Sequence, residues 1–248
     1  MNDAERADEP SDPSAATAAA GPGAGEELRL GRPMTLGDRI VYRSTRLLIL
    51  GASRVMFRVD VSGLENFPSS GACVVAPVHR SNLDTPILAW ITRRRLRFMG
   101  KDTLWKPAFG NWFLTALGGF PVARGTADRE ALRACQAIIE REEPLVMFPE
   151  GTRRFGEMIS DLFDGPAFIA ARTGVPIVPV AVGGSERVMP KGAKFPRPKK
   201  VVLIVGKPIV PPASTGRVPR RVVRELTEQL QVELQTLFDE AQRRAGVR

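Results

Sequence analysis

The sequence predicts an α/β fold: a mixed, mainly parallel sheet covered by helices on both faces. Two observations predict it. From residue 72 onward, short apolar runs of four to seven residues alternate with longer segments of helical character. The helical segments carry start signals, among them Pro86 at a first turn and Thr126 ahead of two acidic residues. A chain of 248 residues is long enough to bury a substantial core.

Residues 1–27 are rich in Ala, Gly, Pro and Ser without apolar periodicity, and predict a disordered acidic tail. Order is expected to begin near Leu28 to Met34, and residues 28–60 form an N-terminal helical segment. Thr35 to Asp38 starts its helix, which runs to about Val59. It mixes Ile40, Val41, Leu47, Leu48, Ile49 and Leu50 with Arg39, Arg43, Arg46, Arg54 and Arg58. A spanning helix needs about 20 predominantly apolar residues. The longest charge-free run here, Leu47 to Ser53, is far shorter. The mixture fits a helix lying on a membrane, arginines toward lipid phosphates and apolar residues in the acyl boundary. An ordinary core-packing helix with solvated arginines is the alternative.

The elements follow in order. Residues 72–78 read as a strand, 86–92 as a helix, 96–100 as a strand and 107–117 as a helix. Thr126 caps a helix through Glu142, with Asp128 and Glu130 placed to suit its dipole. Leu145 to Phe148 is a strand, Asp164 to Arg172 a helix, and Ile177 to Val182 and Val201 to Val205 are strands. From Pro219 to about Ala245, Val223, Leu226, Leu230, Leu234 and Leu237 recur at helical spacing, one stripe for packing on the body.

Charge is unevenly placed. The tail has a net charge of −6, and the remaining residues a net of +15. A body that basic suggests a polyanionic partner: nucleic acid, an anionic membrane surface or a phosphorylated substrate. The single tyrosine, Tyr42, argues against nucleic acid. Cys73 and Cys135 fall in no metal or redox spacing and read as buried, reduced thiols. The acidic N-terminus resembles no signal peptide.

His79 is the only histidine. It follows the strand 72–78, at a strand C-terminus, where open α/β sheets place ligand sites. Asp84 comes five residues later. A carboxylate on one ring nitrogen fixes the tautomer and leaves the other nitrogen as a general base. Phe148-Pro-Glu-Gly-Thr-Arg-Arg154 follows another strand and should emerge on the same edge. Gly151 permits close backbone approach, Thr152 supplies a hydroxyl, and Arg153 gives a planar fork suited to phosphate.

With these motifs the chain resembles the glycerolipid acyltransferase family of the lysophosphatidic acid acyltransferase type. Four blocks match in order: His79-x4-Asp84; Gly118-Gly-Phe-Pro-Val-Ala-Arg124; Phe148-Pro-Glu-Gly-Thr-Arg153; and Val175-Pro-Ile-Val-Pro-Val180. Ala123 departs from the acidic residue common in the second block. The resemblance implies an αβ sandwich with a membrane-docking N-terminal segment, residues 61–248 forming the catalytic domain. It implies His79 and Asp84 as the catalytic dyad. Gly118, Arg124, Glu150, Gly151, Thr152 and Arg153 would bind the acceptor phosphate, with help from Lys101. Pro176 and Pro179 would belong to the acyl or donor pocket.

The activity implied is transfer of an acyl group from acyl-CoA or acyl carrier protein to lysophosphatidic acid, giving phosphatidic acid. Other implied possibilities are a different acceptor, such as glycerol 3-phosphate or another lysophospholipid, or a non-catalytic lipid-binding role. No metal or cofactor is implied. The expected location is the cytoplasmic face of the cell membrane, peripheral or monotopic. With no evident nucleophile, direct transfer is expected; Ser81 reads as a loop or cap hydroxyl. Further basic residues, Arg93, Arg94, Arg95 and Arg97, then Lys191, Lys194, Arg197, Lys199 and Lys200, suit an anionic leaflet.

Overall fold

The computed structural model of the chain describes residues 34–101, 105–106, 108–122, 129–190, 193–213 and 217–247. The tail 1–27, Arg124, the Thr126 cap and Lys191 lie outside them, as does the side chain of Lys101.

Helix α1 (Leu36–Phe57) opens with a capping box. The Thr35 hydroxyl accepts from the Asp38 N–H, and the Asp38 carboxylate accepts from the Thr35 N–H. The helix is tied to the body by side chains. The Tyr42 hydroxyl donates to the Arg94 carbonyl at 3.0 Å, and the Trp90 indole donates to the Ser53 hydroxyl at 2.8 Å. Leu36, Leu47, Leu48 and Val55 face outward, each more than 60% exposed. Among the described residues no helix is long and apolar enough to cross a membrane.

Among the described residues seven strands form one sheet: β1 (Asp60–Ser62), β2 (Val74–Pro77), β3 (Arg97–Lys101), β4 (Gly119–Val122), β5 (Leu145–Val146), β6 (Ile177–Gly183) and β7 (Val202–Val205). Their order is β1-β7-β6-β2-β5-β3-β4. Every neighbouring pair is parallel except β6 with β7. The sheet is therefore mixed and mainly parallel.

Between the strands lie α2 (Asp84–Ile87), α3 (Ala108–Ala116), α4 (Arg129–Glu140), α5 (Gly165–Thr173) and α6 (Ser185–Val188), and α7 (Arg220–Ala245) follows the last strand. Side chains alternate across the sheet. Val74, Ala76 and Val78 enter a core with α5 and α7, while Cys73 and Val75 enter a second core with Phe57, Ile87 and Leu88. Burial on both faces makes β2, β5, β6 and β7 apolar throughout. It also pushes the Cys73 and Cys135 thiols up to about 12.

The C-terminal stripe does what its spacing predicts. Val223, Leu226, Leu230 and Leu234 are buried beneath α7, joined by Phe238 and Ala241. Two strands were not visible in the sequence pattern. β1 is three residues long, and β4 holds Gly119 and Pro121. Both are edge strands, and an edge tolerates the N–H that proline lacks.

Candidate active site

Parallel strands deliver their C-terminal ends to one edge of the sheet. β2 delivers His79 there, and β5 delivers the turn beginning at Phe148. The Arg154 N–H donates to the His79 carbonyl at 3.0 Å, locking the two loops together. The imidazole stacks on the Phe148 ring, with centroids 4.1 Å apart.

Asp84 opens α2 and turns its carboxylate back toward the strand. Its Oδ2 lies 3.1 Å from His79 Nδ1 and also accepts the Arg80 and Ser81 N–H groups, each at 2.6 Å. Asp84 is fully buried, whereas the His79 side chain is 17% exposed. A carboxylate only accepts, so the imidazole proton sits on Nδ1 and Nε2 is left to take a proton. The Ser81 hydroxyl donates to the Met189 carbonyl at 3.1 Å and accepts from the Leu83 N–H. That is the loop role the sequence suggested for it.

Glu150 holds this arrangement from behind. Its Oε2 accepts the His79 N–H at 2.8 Å, and its Oε1 accepts from Arg80 Nη1. Both side chains of the pair are 1% exposed. Arg80 continues to the Met158 carbonyl at 3.2 Å and lies 4.9 Å over the Phe238 ring of α7. A buried charge with such partners is expensive to orphan, about 3–5 kcal/mol when one partner is removed. The Glu150 carboxylate is thus spent on Arg80 and the His79 main chain. It is buried within the turn.

Gly151 takes φ +64°, and a Cβ there would come within 2.6 Å of the Phe163 ring. The turn needs glycine on both counts. Thr152 is exposed and Arg153 half-buried. Arg153 makes no hydrogen bond or ion pair with described residues, and its neighbour Arg154 is tied to His79. Lys101 ends β3. Arg97 and Val74 both stand opposite Leu145, so Lys101 is level with Val78 at the same edge.

Three expected site residues sit elsewhere. Gly119 is level with Phe98, Val146 and Val75, so Gly118 is level with Val74. That is roughly 16 Å short of His79 along the strand direction. Gly118 has φ +99°, and a Cβ would fall 2.1 Å from the Leu96 carbonyl oxygen. It is a close-approach turn at the far edge. Pro176 precedes β6 at that same far edge, its carbonyl accepting the Val74 N–H at 2.9 Å. Pro179 is opposite Ala76 within β6, and its carbonyl accepts the Gly206 N–H. Neither proline lines the apolar cavity beside α1.

That cavity is on the other face of the sheet. It has a volume of about 300 Å³ and lies between α1, β3 and α3. Tyr42, Thr45 and Ile49 of α1 line it, with Phe98, Trp105 and Leu114 opposite. Thr85 and Pro86, the residues after Asp84, also line it. Burial raises the Tyr42 phenol above its ordinary pKa. The α1 positions recur at i, i+3 and i+7, a helical face that the arginine-rich composition hid from the sequence reading. Arg80 was likewise missed. Its signal was a carboxylate at 150 that a buried turn could not hold without a cation.

The family model described as "Acyltransferase" matches residues 58–183, half of the chain. The chain belongs to this acyltransferase family. It is 31% identical over 157 residues to a chloroplastic 1-acyl-sn-glycerol-3-phosphate acyltransferase of Brassica napus, a match covering 62% of this chain and 45% of that protein. It is 27% identical over 177 residues to the 1-acyl-sn-glycerol-3-phosphate acyltransferase of Pseudomonas aeruginosa, covering 69% of this chain and 68% of that one. The chain thus spans about half the length of some of these curated relatives. Among solved structures, this acyltransferase-family chain is similar to the 1-acyl-sn-glycerophosphate (LPA) acyltransferase PlsC of Thermotoga maritima. The TM-score is 0.67, the identity 26%, and the match covers 85% of this chain and 84% of that one.

Proposed function

We propose that the protein transfers a fatty acyl group from an acyl thioester, acyl-CoA or acyl carrier protein, to the free hydroxyl of lysophosphatidic acid, forming phosphatidic acid. The His79–Asp84 contact of 3.1 Å carries this reading, because it leaves Nε2 as a base beside an arginine-bearing turn. His79 Nε2 takes the hydroxyl proton as the acceptor oxygen attacks the thioester carbonyl. The tetrahedral adduct collapses with cleavage of the carbon–sulfur bond. The thiolate leaves with the proton held on the imidazolium, and neutral His79 is restored. No covalent enzyme intermediate is needed.

Arg153, Thr152 and the backbone at Gly151 are the groups on the neighbouring turn that suit the acceptor phosphate, with Lys101 ending β3 at the same edge and Arg124 as a further cation that the family resemblance implies. The cavity between α1 and β3 suits an acyl chain, being apolar. The similarity to proteins named 1-acyl-sn-glycerol-3-phosphate acyltransferases supports the acceptor class. Residues 61–248 carry the chemistry, and α1 in the segment 28–60 rests on the cytoplasmic leaflet, its exposed Leu36, Leu47 and Leu48 interleaved with arginines.

The test is product analysis with purified protein and a radiolabelled acyl thioester. Lysophosphatidic acid, glycerol 3-phosphate and lysophosphatidylcholine are offered in turn. Labelled phosphatidic acid is the expected product. Labelling only of another acceptor, or of none, would overturn the assignment.

A further inference from the structure

We propose that residues 193–200 are a second bilayer-docking element whose partner is an anionic lipid surface. The proposal rests on the lipid-modifying reading above and names the second contact by which that site meets its membrane. The segment is Ala193-Lys-Phe-Pro-Arg-Pro-Lys-Lys200. Just before it, the Met189 carbonyl accepts the Ser81 hydroxyl, two residues from the base. Just after it, the Val201 N–H donates to the carbonyl of Phe57, the last residue of α1, at 3.0 Å. One end is thus pinned beside His79 and the other to the end of the docking helix.

The segment has a defined path. The Arg197 N–H donates to the Val188 carbonyl at 2.8 Å, and Pro196 and Pro198 fix φ on either side. That path leaves Phe195 80% exposed. Lys194, Arg197 and Lys199 are exposed around it, and none makes an ion pair with a described residue. Lys200 is held 3.5 Å from Asp60. No acidic residue occurs within 193–200. At the adjoining end of α1, Val55 is 82% and Met56 41% exposed.

Charge complementarity selects the occupant. Cations alone would suit any polyanion, and an exposed ring alone would suit a protein pocket. A ring held among three cations, next to an amphipathic helix, fits the headgroup zone, where the ring enters the acyl boundary and the cations stay at phosphate level. Contact at α1 and at Phe195 together would turn the His79 edge toward the lipid surface, so that the acceptor reaches the base without leaving the bilayer.

The experiment is co-sedimentation of the full chain with phosphatidylcholine vesicles, with and without phosphatidylglycerol, over a salt series. The variants are Phe195→Ser and the combined Lys194→Glu, Arg197→Glu and Lys199→Glu. Partitioning to anionic vesicles is expected to fall about tenfold for Phe195→Ser and about 10²-fold for the charge reversal. Melting temperature and turnover on a monomeric short-chain lysophosphatidic acid should be unchanged in both. Vesicle binding like that of the unmodified protein overturns the proposal. So does equal loss on the monomeric acceptor, which would make the segment part of the site. Retained vesicle binding with selective loss of an acidic carrier-protein donor would assign the surface to that protein instead. An unmodified chain that binds vesicles as expected yet acylates no acceptor would reject the acyl-transfer reading and leave the docking segment standing.

Discussion

The two edges of the same sheet contain residues of the same kind and use them differently. At the C-terminal edge of the parallel strands, Gly151 makes a tight turn in the loop that carries Arg153, and the Arg154 N–H ties that loop to the His79 carbonyl. At the opposite edge, Gly118 makes an equally tight turn against the Leu96 carbonyl, and Pro176 feeds the chain into β6. All of them fall in blocks that read as one functional set. The difference teaches that direction along the strand, and not membership of a motif, decides at which edge of the sheet a residue stands.

Mutation can break or sharpen that contrast. The largest expected effect is at the dyad. Asp84→Asn should lower turnover about 10²–10³-fold by releasing the tautomer and ring orientation. Acceptor KM should change little, and steady-state kinetics checks both. Glu150→Gln comes next, because it leaves Arg80 buried without a counter-charge. Urea unfolding should show a loss of about 3 kcal/mol, with turnover reduced through the displaced His79 main chain. Were Glu150 a phosphate ligand instead, KM would rise with stability intact.

At the far edge the expectations invert. Gly118→Ala should cost about 2 kcal/mol or more in stability, from the positive φ and the contact with Leu96. The fraction that remains folded should turn over normally. A selective rise in acceptor KM would return Gly118 to the site. Pro176→Ala should be the mildest, within about 0.5 kcal/mol in stability and without effect on use of the acyl donor. A changed chain-length preference would contradict its placement.

Much of the fold was legible because burial on both faces writes itself as uninterrupted apolar runs, as at 74–78 and 177–182. β4 was hidden by Gly119 and Pro121, which break an already short apolar run at the sheet's edge. The dyad was legible because a strand end, a lone histidine and a nearby carboxylate obey local geometry. The clamp from Glu150 to Arg80 spans 70 residues of sequence, and no local pattern reveals a partner at that separation. The acyl-sized cavity was hidden for a related reason. Its wall is shared by α1, β3 and α3, and the arginines of α1 drew attention to the helix's outer face.

The central claim is that the imidazole at 79 removes the acceptor's proton. Turnover of His79→Ala, measured with a labelled acyl thioester and lysophosphatidic acid alongside its circular dichroism melt, tests it most directly. Turnover should fall by about 10³-fold or more while the melt stays that of the unmodified protein. A natively melting variant that still forms phosphatidic acid at a near-normal rate would contradict it.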